Sequence, residues 1–185
     1  YGSLYSINNE TLLINWFLNL NQSLNLNPSN LFMGNQIVIN KNKVVISSNQ
    51  YTYVLGINNG SIIYKVNFSS LFKPLIQNDY LFLITKNNLL ISFDLKSGKI
   101  IYSYNINESI AKFLDTKKKK AQFKSIEMVD NKIFIFLKNS YVLKFNINGE
   151  LEGINKLPSK LKTYPIFIDG FMMYLDHKKK LSVIN

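Results

Sequence analysis

The sequence predicts an all-β fold, a β-propeller of four-stranded antiparallel blades, from three observations. A short pattern recurs about every 44 residues, which is the period of a propeller blade. Turn signals such as Asn-Gly and Ser-Gly separate the alternating apolar stretches. Aromatic residues make up 14% of the chain, whereas Ala, the best helix former, occurs only twice. An all-β sandwich would also space its strands closely, but an equal phase over four periods favours the propeller.

The recurring pattern is a short alternating strand that ends at or beside a turn-forming residue. A turn and a second strand follow each of the first four copies, so each copy predicts a hairpin. The second strands are expected at 13–18, 61–68, 99–104 and 150–157. Successive anchors lie 48, 38, 52 and 39 residues apart, and they are Asn8, Gly56, Asp94, Asn146 and Asn185.

Two further strands precede each later hairpin and supply the first half of each blade. They are predicted at 37–40 and 43–47, 75–76 and 80–85, 123–129 and 132–137, and 164–168 and 171–175. Asn78-Asp79, Asp130-Asn131 and Asp169-Gly170 are the predicted turns between them. We therefore expect one propeller region over 1–185, with about four blades, that starts and stops in the third strand of a blade.

Two polar segments interrupt this rhythm and are predicted to be inter-blade loops on the rim. The first, about 19–34, contains Asn27-Pro28. The second, about 107–122, could hold a short helix that Asn107 caps, with an apolar edge of Ile110, Phe113 and Leu114.

The composition is strongly basic, with a formal net charge of +11, yet all 22 basic residues are Lys. Together with 26 Asn, this bias matches AT-rich codons. A basic surface suggests nucleic acid or an anionic membrane. Proteins that bind nucleic acid rely on Arg for bidentate contacts, so the absence of Arg argues against a nucleic-acid partner.

Several classes of site are missing from the sequence. The absence of Cys excludes disulfides and thiolate metal sites, and no apolar run is long enough to span a membrane. The single His, His177, is expected in a solvated turn and forms no catalytic or zinc constellation. Glu150 and Glu152 are expected to alternate onto one solvent-facing strand face, and Trp16 to pack between blades. The sequence thus predicts no catalytic residue, no cofactor site and no metal site.

Two lysine clusters are the predicted partner-binding loops. They comprise Lys117, Lys118, Lys119 and Lys120, and Lys178, Lys179 and Lys180. The ordinary interpretation is a solvated loop tip. The functional interpretation is a salt-sensitive contact with an acidic protein or an anionic lipid.

The repeat resembles that of the pyrroloquinoline-quinone (PQQ) propeller proteins, whose pattern is roughly L-Y-A-L-D-x-x-T-G-x-x-x-W. The resembling residues are Leu4 to Leu12 with Trp16, Asn58 to Gly60 with Tyr64, and Ser92 to Gly98 with Tyr102. Leu12 replaces the pattern's Gly, Tyr replaces Trp twice, and Gly153 falls near the Trp position of the fourth copy. Asp94 lies at the pattern's acidic position, where a turn contact is expected.

This resemblance implies one of two functions. The favoured one is that of the BamB family: a non-enzymatic, periplasmic scaffold that binds protein components of the outer-membrane β-barrel assembly machinery. It also implies peripheral outer-membrane association through a lipid anchor outside this chain, which begins with Tyr rather than Met. The alternative is part of a PQQ-dependent quinoprotein dehydrogenase, and a WD-like cytoplasmic adaptor is a third interpretation.

The resemblance also implies a seven- or eight-bladed propeller, about twice as long as this chain. Blades cut at both ends leave open sheet edges, which are prone to pairing. We therefore expect either a fragment of a larger protein or self-pairing through the open edges.

Overall fold

The computed structural model describes residues 2–20, 35–48, 50–117 and 119–184. These residues form an all-β protein, as predicted, with a single short helix in the described part of the chain. The elements in chain order are β1 Ser3–Ile7, β2 Ile14–Asn19, β3 Val38–Asn40, β4 Lys43–Ser47, β5 Thr52–Gly56, β6 Ile62–Val66, β7 Leu75–Gln77, β8 Tyr80–Ile84, β9 Leu89–Asp94, β10 Lys99–Asn105, α1 Ile106–Phe113, β11 Phe123–Val129, β12 Lys132–Leu137, β13 Tyr141–Asn146, β14 Leu151–Lys156, β15 Ile166–Ile168, β16 Phe171–Leu175 and β17 Leu181–Ile184.

The described strands pair only with their neighbours in sequence and form β-propeller blades. Three four-stranded sheets, β3–β6, β7–β10 and β11–β14, each order their strands consecutively. A two-stranded sheet, β1–β2, precedes them, and a three-stranded sheet, β15–β17, follows. β17 is the third strand of its sheet, as predicted, whereas β1 pairs with β2 alone among the described strands.

Turn geometry explains where the first two strands of a blade meet. Asp130 and Asn131 both have positive φ, as do Asp169 and Gly170. Two successive left-handed residues give the type I′ twist that suits a hairpin, and Asn, Asp and Gly tolerate it best. Asn78 also has positive φ, so all three predicted turns are confirmed.

The described chain divides into two compact units, and each has its own core. Unit 1 comprises residues 1–87 and 91–101. Its inner strands β4, β5 and β8 are almost wholly buried, whereas the outer strand β6 is mostly exposed. Leu4 and Leu20 pack on Val44, Ile46, Tyr53 and Leu55, so one face of β1–β2 covers β3–β6. The continuous apolar sequences of β4, β5 and β8 are typical of such fully buried strands.

Unit 2 comprises residues 88–90 and 102–185 and follows the same plan. The sheets β11–β14 and β15–β17 pack face to face, and the ring centroids of Phe134 and Phe167 are 5.3 Å apart. The buried residues between the sheets are Phe136, Val142, Leu157, Leu161, Met172 and Tyr174.

The helix α1 lies in the segment expected to hold one, but its cap differs from the prediction. Asn105 is the N-cap, and its side chain accepts hydrogen bonds from the backbone N–H groups of Asn107 (3.1 Å) and Glu108 (3.4 Å). Asn107 is buried instead, and its side-chain oxygen accepts a hydrogen bond from the N–H of Ala121 at 2.8 Å. The prediction that Asn107 caps the helix was wrong, because its side chain instead binds Ala121 at the far end of the connection between α1 and β11. Of the other predicted rim segment, residues 21–34 lie outside the described chain.

Candidate interaction surfaces

An aromatic ring on the fourth strand of a blade docks on the third hairpin of the next sheet. In unit 1 the indole N–H of Trp16 donates to the carbonyl of Ile57 at 2.7 Å. The ring lies against Gly60, where an added Cβ would be 2.5 Å from the indole. Gly60 has φ +68°, so Gly both provides the space for the ring and allows the left-handed turn. The predicted packing role of Trp16 is confirmed.

Tyrosine performs the same docking at the next two positions. The hydroxyl of Tyr64 donates to the carbonyl of Lys96 at 2.7 Å, and its ring contacts Gly98. In unit 2 the hydroxyl of Tyr102 donates to the carbonyl of Ile147 at 3.0 Å. Burial, with a smaller contribution from Tyr104, raises the pKa of Tyr102 above its ordinary value. The docking position therefore requires a flat ring with a donor at its tip, and both Trp and Tyr supply it.

The fourth copy lacks this ring. Gly153 pairs with Lys144 across the hairpin, as Trp16 pairs with Ser6 and Tyr64 with Val54. The predicted position of Gly153 in the repeat is therefore confirmed.

The predicted arrangement of Glu150 and Glu152 on one strand face is wrong. A register shift lies in β13–β14 directly before Gly153, and Glu152 falls in it. Glu150 lies in the turn and accepts a hydrogen bond from the Asn146 amide at 2.8 Å, while Glu152 forms an ion pair with Lys132 at 2.5 Å. Each carboxylate thus has a local structural contact.

The acidic position of the repeat stabilises a turn, as expected. The Asp94 carboxylate accepts hydrogen bonds from the Ser97 hydroxyl (2.6 Å) and the Lys96 N–H (2.8 Å). These bonds lower the pKa of Asp94. Asn8 and Asn146 accept equivalent backbone hydrogen bonds in their own turns. The described residues contain no group of three or more His, Asp or Glu arranged to hold a metal ion.

The two predicted lysine loops both belong to unit 2. Lys117, Lys119 and Lys120 are exposed in the connection from α1 to β11, and Lys118 lies outside the described residues. Lys178, Lys179 and Lys180 are exposed in the β16–β17 turn, together with His177, whose predicted exposure is confirmed. The buried Asp176 carboxylate shapes this turn by accepting hydrogen bonds from the N–H groups of Lys178 (2.8 Å) and Lys180 (2.9 Å).

Backbone hydrogen bonds bring these loops to one end of the unit 2 sheets. Lys138 donates its N–H to the carbonyl of Gln122 at 2.8 Å, and Leu157 to that of Ser140 at 2.7 Å. His177 donates to the carbonyl of Lys160 at 3.2 Å. We call this end the lysine rim; it consists of segments 106–117, 119–124, 138–140, 156–165 and 176–180.

The lysine rim concentrates positive charge. Its described residues include twelve Lys but only three acids, Glu108, Asp115 and Asp176. All but one of the twelve Lys are exposed. The exception is Lys124, whose amino group donates to the carbonyls of Leu161 and Lys162 and whose pKa is lowered by burial.

The opposite end of the same sheets carries the reverse charge. We call it the hairpin rim; it consists of three turns with the first residues of the strands that follow two of them, in segments 130–132, 147–152 and 169–170. Its charged residues are four acids and one Lys, namely Asp130, Glu150, Glu152, Asp169 and Lys132. Unit 2 is therefore electrostatically polar from one end of its strands to the other.

Two outer sheet faces are apolar and exposed in the described structure. On β15–β17, alternate residues of all three strands point away from the core, and on β1–β2 the pairs Tyr5–Phe17 and Ile7–Ile14 do the same. Such faces are the surfaces that blades bury against one another. The residues of the β15–β17 face are Ile166, Ile168, Phe171, Met173, Leu175, Leu181 and Val183.

The fold resembles that of BamB from Moraxella catarrhalis. The TM-score is 0.64 at 16% identity, and the match covers 92% of this chain and 49% of BamB. Two computationally designed proteins also match at 13% identity over 80% of this chain: Ika8 (TM-score 0.59, 44% of its chain) and Ika4 (TM-score 0.60, 88% of its chain). The chain thus spans about half the length of BamB and Ika8. No protein-family model and no curated protein matches the sequence.

These likenesses confirm the predicted propeller fold and the predicted resemblance to BamB. No helix in the described part of the chain has the length and hydropathy needed to cross a bilayer.

Proposed function

We propose that this chain is a non-enzymatic protein-interaction scaffold with a BamB-like role in the assembly of outer-membrane β-barrel proteins. The observation that carries the proposal is the fold likeness to BamB over 92% of the chain. A periplasmic, outer-membrane-associated location belongs to the same proposal.

The docking contacts supply what such a scaffold needs. Trp16, Tyr64 and Tyr102 each tie one sheet to a turn by a ring contact and a hydrogen bond. These contacts hold the docked turns in place before a partner binds. Preorganised loops bind with a smaller loss of conformational entropy.

The two repeat residues that could bind a quinone or its calcium ion already make structural contacts. Trp16 stacks on Gly60, and Asp94 accepts hydrogen bonds within its own turn. A dehydrogenase would need an aromatic floor for its quinone and acidic oxygens for its calcium ion. The use of both side chains in packing favours the scaffold over the dehydrogenase.

Two kinds of surface would contact partners. The lysine loops suit an acidic protein or an anionic lipid, and the exposed outer strand β6 could add a partner strand to its sheet. The apolar faces of β1–β2 and β15–β17 favour self-pairing, which sedimentation velocity would detect as a concentration-dependent dimer.

A binding assay tests the scaffold function directly. The purified chain is immobilised, and a purified outer-membrane β-barrel assembly complex lacking its BamB subunit is passed over it. We expect saturable binding that soluble BamB competes away, because the two folds would present the same loops. A response no larger than that of an unrelated immobilised propeller, at concentrations where BamB itself saturates, would reject the proposal.

A further inference from the structure

The lysine rim exposes large apolar side chains among its charges. Phe113, the last residue of α1, is 48% exposed, and Leu114, which caps the helix, is 50% exposed. Tyr164, in the connection from β14 to β15, is 67% exposed. Scattered apolar residues are normal on a surface, but three large ones on the most basic end of a unit suggest a binding function.

These apolar residues lie beside the exposed lysines in both connections. Phe113 directly follows Lys112, Leu114 lies three residues before Lys117, and Tyr164 follows Lys160 and Lys162. The hydrogen bonds from Lys138 to Gln122 and from His177 to Lys160 hold the two connections at the same end of the sheets. The rim therefore combines a broad positive field with protruding apolar tips.

We propose that the lysine rim docks on an anionic lipid surface, with Phe113, Leu114 and Tyr164 entering the headgroup region. Lysines near such a surface each add attraction to acidic headgroups. Tyr is amphipathic and suits the membrane–water boundary, where Phe and Leu add apolar burial. The proposed function allows an acidic protein or an anionic lipid at the lysine loops, and this inference assigns the whole rim to lipid.

Three features favour lipid over an acidic protein. The positive side chains are all Lys, and Lys is a flexible point charge that needs no fixed acceptor geometry, whereas Arg suits bidentate pairing. The lysines are spread over four connections rather than gathered in one recognition loop. The hairpin rim is acidic, so an anionic surface would attract one end of unit 2 and repel the other, which fixes the orientation.

Vesicle binding tests the proposal. The chain is sedimented with vesicles of phosphatidylcholine alone and with vesicles that also contain phosphatidylglycerol. We expect binding only where the anionic lipid is present, and we expect added salt to weaken it. The double variant Lys119→Ala and Lys120→Ala should bind about thirtyfold more weakly, since each Lys near the surface contributes slightly more than about fivefold.

A matched variant controls for total charge. Lys132→Ala with Lys144→Ala removes the two described positive charges of unit 2 that lie outside the lysine rim, and binding should change less than about twofold. The variant Phe113→Ser with Leu114→Ser keeps the charge but should weaken binding about tenfold through lost apolar burial. Circular dichroism melting of all variants checks that each remains folded.

Three outcomes would overturn the proposal. Equal losses in the two lysine variants would show attraction to net charge alone. An undiminished affinity of the Phe113 and Leu114 variant would remove the apolar part of the contact. Binding to polyglutamate without binding to phosphatidylglycerol vesicles would assign the rim to an acidic protein instead.

Discussion

Substituting Gly149 by Ala should disrupt the docking of Tyr102 and destabilise unit 2 strongly. Gly149 has φ +83°, and a Cβ at this position would be 2.6 Å from the Tyr102 ring and 2.7 Å from the Tyr104 ring. Since these distances are far below van der Waals contact, at least one of the two rings must move.

The expected destabilisation can be estimated from the contacts that would be lost. A left-handed Ala costs about 1–2 kcal/mol, of which about 0.4–1 is offset by a less flexible unfolded chain. A displaced Tyr102 loses its hydrogen bond to Ile147, about 1 kcal/mol. It also loses its stacking on Tyr104, with centroids 5.0 Å apart, which contributes about 0.5–1.5 kcal/mol. The total is about 3 kcal/mol.

Two other glycines of unit 2 are controls. Gly170 has nearly the same φ, +80°, but a Cβ added there would have no described atom within 4 Å. Gly170→Ala should therefore cost only the backbone term, about 1 kcal/mol. Gly153 has neither positive φ nor a neighbour within 4 Å, and Gly153→Ala should leave stability unchanged or raise it by about 0.5 kcal/mol.

Urea unfolding followed by far-ultraviolet circular dichroism measures the three free energies. The docking argument requires Gly149→Ala to be about 2 kcal/mol worse than Gly170→Ala. If the two variants were equally destabilised, the positive φ alone would explain the effect and the ring contact would contribute nothing.

Three further predictions concern single side chains. Trp16→Phe should lower the free energy of unfolding by about 1–2 kcal/mol, because the Ile57 carbonyl loses its donor, and denaturant titration measures it. Tyr102 keeps its proton in the folded state at pH values where the unfolded chain releases it, so stability should fall above about pH 10. Tyr102→Phe should make that fall less steep, which free energies of unfolding measured between about pH 9 and pH 11 would show. The Asp79 carboxylate accepts hydrogen bonds from Lys96 and Lys41, which lower its pKa, so its carbon NMR titration midpoint should lie below 3.8 and rise towards that value in Lys96→Met.

The repeat was predictable from the sequence because its requirements are local. An alternating strand and a residue with positive φ recur in all four hairpins, and that residue is Gly in three of them and Leu12 in the first. A ring follows a few residues later in the first three hairpins, and these residue types can be recognised in the printed chain. Tyr64 and Tyr102 could be assigned to the Trp position for the same reason: ring and donor are both properties of the residue itself. Their acceptors, the carbonyls of Lys96 and Ile147, lie 32 and 45 residues away and needed the structure.

Features that depend on a shift of one or two residues along the backbone could not be predicted from the sequence. Asn105 and Asn107 are both good cap residues two positions apart, and only the extended backbone of Asn105 (φ −78°, ψ 110°) selects it as the cap. A one-residue register shift before Gly153 likewise removed the expected alternation of Glu150 and Glu152. Strand periodicity cannot detect a single inserted residue, because both sides of the insertion still alternate.

The placement of the lysines contains information that their number does not. An AT-rich codon bias could raise the Lys content of the whole chain, but it would not select one end of a sheet. Of the fourteen Lys described in unit 2, twelve lie on the lysine rim, and only Lys132 and Lys144 lie elsewhere. In an antiparallel blade every second connection returns to the same end, so segments more than sixty residues apart in sequence meet there. A codon bias alone therefore does not account for four separate basic connections at one end of the sheets and an acidic opposite end.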